Sequence, residues 1–142
     1  MSELGTHTFL HTLICEDIRA ELNGKNTIVG VHSGKMYSDN LPQPVKLAFY
    51  IVGKPKTYGT NRLVFRILDP NDDLINEDVL PESQLEKDTQ ETIICAVLSP
   101  LVHKIPGEYR FQVSENKGRW KTLRTYEVRT ADEISDKQKA NN

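Results

Sequence analysis

Alanine, cysteine and tryptophan are scarce in this 142-residue chain, at five, two and one. Few alanines beside 31 Val, Ile and Thr argue against a helical protein, because stiff β-branched side chains suit a pleated surface. Two cysteines, Cys15 and Cys95, make no disulfide framework. Each lies in an apolar run, as buried thiols do, and reduced thiols fit a cytoplasmic location. The start of the chain does not read as a secretion leader: Glu3 stands where a cation belongs, and His7, Thr8, His11 and Thr12 interrupt the apolar stretch. No apolar run approaches the roughly 18 residues of a membrane span. A net charge of −2 leaves no bulk affinity for polyanions. What is present is a core: Leu, Ile, Val and Phe make up 38 of 142 residues, enough for one folded domain and too many for a disordered chain.

Hydrophobic alternation places strands along the chain. Phe9 to Ile18 forms the first. Leu47, Phe49 and Ile51 alternate with Ala48, Tyr50 and Val52, a strand covered on both faces. Leu63, Phe65 and Ile67 alternate with Arg62, Val64 and Arg66, and Tyr109-Arg110-Phe111-Gln112-Val113 alternates strictly. Ile28-Val29-Gly30-Val31 and Ile93 to Leu98 are continuous apolar runs, expected near the centre of a sandwich. Trp120 to Val128 forms the last strand, and its apolar phase shifts between Leu123 and Tyr126, where a bulge would absorb the change.

Turn chemistry separates these segments. Asn23-Gly24 is a tight-turn signal, Asp69-Pro70-Asn71-Asp72-Asp73 favours a type I turn, and Asn116-Lys117-Gly118 fits a turn closed by glycine in the left-handed region. Pro42, Pro44 and the stretch Gly53 to Gly59 mark two longer loops, and a short helical turn is expected over Glu82 to Lys87. The sum is an all-β antiparallel sandwich of seven or eight strands, immunoglobulin-like or C2-like, over residues 1–130, followed by a polar, flexible tail over 131–142. Gly107-Glu108-Tyr109 at the start of a late strand fits a tyrosine corner, in which the hydroxyl bonds backwards to the main chain.

Few constellations suggest chemistry. His7, His11 and Cys15 share one face of an extended strand but stand roughly 13 Å apart, too far for one metal ion. A metal-dependent enzyme built on His32 and a neighbouring strand is the weakest reading. The acidic loop 69–73 begins like a calcium loop, but Leu74 and Leu80 stand where glycine and a bidentate glutamate belong, so it reads as a solvated turn. No nucleophile elbow, phosphate loop or dinucleotide fingerprint occurs. Residues 69–91 carry nine acids and one lysine, whereas 107–129 carry six bases and three acids. Arg119, Trp120, Lys121, Arg124 and Tyr126 could stack a base and hold a phosphate backbone, although such a hairpin is equally a protected sheet edge.

The run Cys15-Glu16-Asp17-Ile18-Arg19, then Gly24-Lys25 and Ile28-Val29-Gly30-Val31, resembles the N-terminal signature of an uncharacterised family of small bacterial and phage proteins. Leu68-Asp69-Pro70 and Pro106 to Tyr109 extend the likeness to about residue 130, with His32 where the family often has an aromatic. The resemblance implies a small sandwich and no known activity. Glu16, Asp17 and Arg19 form a surface ion-pair group that doubles as a candidate partner-recognition patch. The favoured expectation is therefore a non-enzymatic binding or structural module without cofactor, engaging a protein partner or itself by a sheet edge or rim loops. A nucleic-acid-binding accessory protein is the alternative.

Overall fold

A computed structural model of the chain describes residues 2–3, 7–56, 59–80, 83–85, 91–115 and 118–130; the expected tail over 131–142 lies outside them. Twelve strands are described, and no helix among them: β1 (Ser2–Glu3), β2 (His7–Ala20), β3 (Asn26–Val31), β4 (Lys35–Ser38), β5 (Gln43–Pro55), β6 (Gly59–Asn61), β7 (Leu63–Leu68), β8 (Leu74–Val79), β9 (Ser83–Leu85), β10 (Thr92–His103), β11 (Gly107–Glu115) and β12 (Trp120–Thr130). The sequence count of seven or eight falls short because β1, β4, β6 and β9 hold two to four residues each, too few for alternation to register. Ser83–Leu85 is strand, where a helical turn was expected.

Two five-stranded sheets face each other. One runs β1-β2-β5-β10 with β3 also on β2, the other β4-β12-β11-β7-β8, and β6-β9 is a separate small ribbon. The order β2-β5-β10 against β12-β11-β7-β8 is immunoglobulin-like wiring. The pairing of β4 with β12 is parallel, the exception to the antiparallel pattern among the described strands. Phe49 from one sheet stacks on Phe111 from the other at 3.7 Å between ring centroids, and Phe65 flanks Phe111 at 5.4 Å. Ile14, Leu47, Ile51, Ile67, Leu98 and Leu101 complete the dry layer, whose burial is the main stabilising term.

Several local expectations need correction. The apolar runs in β3 and β10 lie at sheet edges, since among the described strands β3 pairs only with β2 and β10 only with β5. Part of their apolarity faces outward, as Val31, Ile93 and Val97 show by their exposure, while Ala96 and Leu98 face the core. Gly53 to Pro55 continue β5 instead of opening a loop; Gly53 lies under Phe9, and a Cβ there would meet its ring at 3.5 Å. Gly118 donates its amide to the Glu115 carbonyl, while residues 116–117 of the expected turn lie outside the description. In the acidic loop, by contrast, the expected turn forms: the Asp72 amide donates to the Asp69 carbonyl at 3.0 Å, Asp72 takes positive φ, and the Asp69 carboxylate caps the turn by accepting the amides of Asn71 and Asp73 at 2.8 and 2.9 Å.

Other expectations agree with the structure. Gly24 turns with φ 82° between β2 and β3. Phe111 pairs with Arg124 and Gln112 with Thr122, so Leu123 is the extra residue of the bulge in β12. Tyr109 forms the corner, its hydroxyl donating to the Ile105 carbonyl at 2.7 Å from a fully buried ring.

Candidate functional site

The crossover from β3 to β4 carries the chain from one sheet to the other and opens a cleft of about 650 Å³ beside it. Its walls are the end of β2, the whole of β4 and the start of β5. Glu16, Asp17 and Lys46 stand on one side, Lys35 and Tyr37 on the other, and Leu47, Met36 and the buried His103 at the base. The β4 alternation sorts these residues: Met36 and Ser38 turn inward and are buried, whereas Lys35 and Tyr37 are exposed.

Two of the three residues marked as a partner patch, Glu16 and Asp17, line this cleft; Arg19 does not. Lys46 donates to the Asp17 carboxylate at 3.0 Å, and Arg19 approaches its second oxygen at 3.6 Å. The hydrogen bond from Lys46 holds the Asp17 carboxyl below the usual carboxylate range. Glu16 alternates toward β3, where Gly30 has φ 65° and a Cβ would fall 2.8 Å from the Glu16 carboxyl carbon. Gly30 is therefore glycine for its left-handed backbone, since the exposed Glu16 side chain could swing away from a Cβ.

Sequence reasoning missed Lys35, Tyr37, Lys46 and His103. Nothing local marks them, because only the crossover brings β4 against β2 and β5. At the base His103 Nε2 lies 2.9 Å from the Tyr126 hydroxyl, and burial lowers its pKa to about 4.

The basic-aromatic group on the last hairpin does not assemble as one surface. Arg119 is exposed and Lys121 half-buried. Trp120 is covered by the Arg66 guanidinium, 3.8 Å from its ring centroid, and Arg66 also donates to the Gln112 side chain at 2.8 Å. Arg124 turns inward and donates to the Thr12 carbonyl at 2.9 Å. Tyr126 is 1% exposed and cannot stack a base. The reason is the Leu123 bulge, which reverses the facing of the residues beyond it.

A second irregularity, at Leu10 in β2, separates His7 from His11 and Cys15. His7 is buried and stacked on Phe9, whereas His11 is exposed on the outer side of the sheet, the side that also carries the buried Cys15. The one-face spacing drawn from the sequence therefore fails, since it assumed a regular strand. Among the described residues no three His, Cys, Asp or Glu side chains converge as metal ligands. Cys15 and Cys95 are free, and burial raises both thiol pKa values. No described helix is long and apolar enough to cross a membrane.

No protein-family model matches the chain, and no curated protein does. Among solved structures it is similar to a β-glucosidase from Listeria innocua in complex with glucose, at 10% identity and TM-score 0.40. The match covers 86% of this chain and 16% of that enzyme. A likeness of that degree assigns neither activity nor ligand to this chain.

Proposed function

We propose that the domain is a non-enzymatic binding module that takes an extended segment of a protein partner into the cleft between β4 and the β2–β5 pair. The observation that carries this reading is the position of β4. It is the terminal strand of its sheet, with β12 on one side only, and all four of its residues line the cleft. An added strand gains main-chain hydrogen bonds from such an edge and specificity from the walls. Here the walls offer both signs of charge, Glu16 and Asp17 against Lys35 and Lys46, over a base of Met36, Leu47 and the buried His103. The two free thiols favour a reducing, cytoplasmic setting.

A photo-crosslinking side chain at Tyr37, introduced in the producing cell, tests the reading. The expected result is a discrete adduct with another protein, lost on Glu16→Lys and absent when the crosslinker stands at Thr122. No adduct from position 37, or equal adducts from both positions, overturns it. Salt-sensitive retention on single-stranded DNA that disappears in Trp120→Ala would favour the nucleic-acid alternative instead.

A further inference from the structure

Along β10, β5 and β2 the core-facing residues are Ala96, Phe49 and Ile14. Their chain neighbours therefore project to the other face of the sheet, away from the sandwich. Register then fixes the rows of that outer face. Ile93, Val52 and His11 share one row, and Cys95, Tyr50 and Leu13 the next. The third row crosses four strands as Val97, Ala48, Cys15 and Val31. Beyond it lies Asp17, paired with Val29 in β3 and bonded to Lys46 of β5.

This face is apolar over three consecutive rows apart from His11, and its margins are open to solvent while Cys15 and Ala48 at its centre are covered by their neighbours. Val31 is 58% exposed, Ile93 51% and Val97 40%. An outer sheet face of a solitary domain is ordinarily polar, with hydrophobic residues alternating inward. Ten positions in three rows, about 4.8 Å apart across the strands and about 6.8 Å apart along them, give a footprint of roughly 300 Å². That lies in the range of functional surface patches and below the ~800 Å² per side of a standard stable interface.

We infer that this face packs against the same face of a second copy of the chain, forming a weak two-fold dimer. The arrangement of the rows supports a second copy over an unrelated partner. A two-fold axis along the strands, between β2 and β5, places β2 of one copy over β5 of the other and β3 over β10. The four-residue row then meets itself reversed: an exposed valine, Val31 or Val97, lies at each end, and the fully buried Cys15 and Ala48 lie between. The same operation sets Asp17 against Lys46 at the rim, so each charge meets its opposite. A closed two-fold interface requires such self-complementarity, since one patch must serve both sides. The dimer face adjoins the cleft only through Asp17 and Lys46 and leaves Tyr37 outside, so the two readings fail separately.

Sedimentation velocity of the full chain from low micromolar to submillimolar concentration is the test. The expected result is a monomer–dimer equilibrium that Val97→Asp or Val31→Asp weakens at least roughly tenfold, with an unchanged strand signal in circular dichroism. Asp17→Lys weakens it as well, and the swap Asp17→Lys with Lys46→Asp restores it. A monomer at all concentrations overturns the inference. So does a dimer indifferent to both valine substitutions, a charge swap that fails to rescue, or a face that binds only a different protein.

Discussion

His103 Nε2 and the Tyr126 hydroxyl lie 2.9 Å apart, joining β10 of one sheet to β12 of the other at the base of the cleft. Tyr109 closes the group, its ring 4.7 Å from the imidazole and 5.3 Å from Tyr126. Three polar rings thus share a dry space, and the imidazole must stay neutral there.

That neutrality sets a pH dependence. The pKa of His103 is about 4 in the fold, whereas an unfolded histidine titrates near 6.5. Between these values the unfolded chain binds the extra proton, so stability falls on acidification from about pH 6.5 to about pH 4, at up to ~1.4 kcal/mol per unit. Buried His7, also lowered, adds in the same direction. Asp17, whose carboxyl is depressed, loses its contribution only below the ordinary carboxylate range and so does not confuse the window. Urea midpoints measured across this range should fall steeply for the natural chain and less for His103→Gln. Equal slopes would show that the imidazole is not held neutral.

Gly30→Ala should destabilise by about 1–3 kcal/mol, since alanine is strained at φ 65°. The exposed Glu16 side chain can swing away from the added Cβ, so Glu16→Ala/Gly30→Ala should recover little of that loss. A double-mutant cycle measured by denaturant titration checks this. A large coupling energy would mean that Glu16 is fixed in the space above Gly30.

The sandwich was legible because its determinants are local. Tyr109 marked its own corner, and the slipped phase between Leu123 and Tyr126 marked the bulge. The facing of Tyr126 was not legible, because periodicity locates a shift without saying which side turns inward. The apolar runs at Ile28 and Ile93 misled for a related reason. A strand buried on both faces and an edge strand with a greasy outer face read alike, and only the pairing distinguishes them. Of the cleft, Glu16 and Asp17 were visible as a charged cluster, whereas Lys35, Tyr37 and His103 required the crossover. Such long-range convergence leaves no trace in spacing.

Tyr109→Phe removes the bond to the Ile105 carbonyl while keeping the ring. The expected cost is about 1 kcal/mol, or a few degrees in Tm for a domain of this size. Thermal unfolding followed by circular dichroism reads it. No change would mean that water satisfies the Ile105 carbonyl equally well.

Arg124 separates a structural cation from a nucleic-acid contact. Its guanidinium reaches across the open side of the sandwich to the Thr12 carbonyl, tying β12 to β2. Arg124→Ala should therefore lower stability by about 1–2 kcal/mol, since a charge-assisted bond is lost and a partly buried carbonyl is left behind. Retention on heparin at low salt should match that of the natural chain once both are folded. A variant that keeps its melting temperature and elutes earlier would reverse the assignment: the cation would then face the solvent and a polyanion, and the tie between the sheets would contribute little.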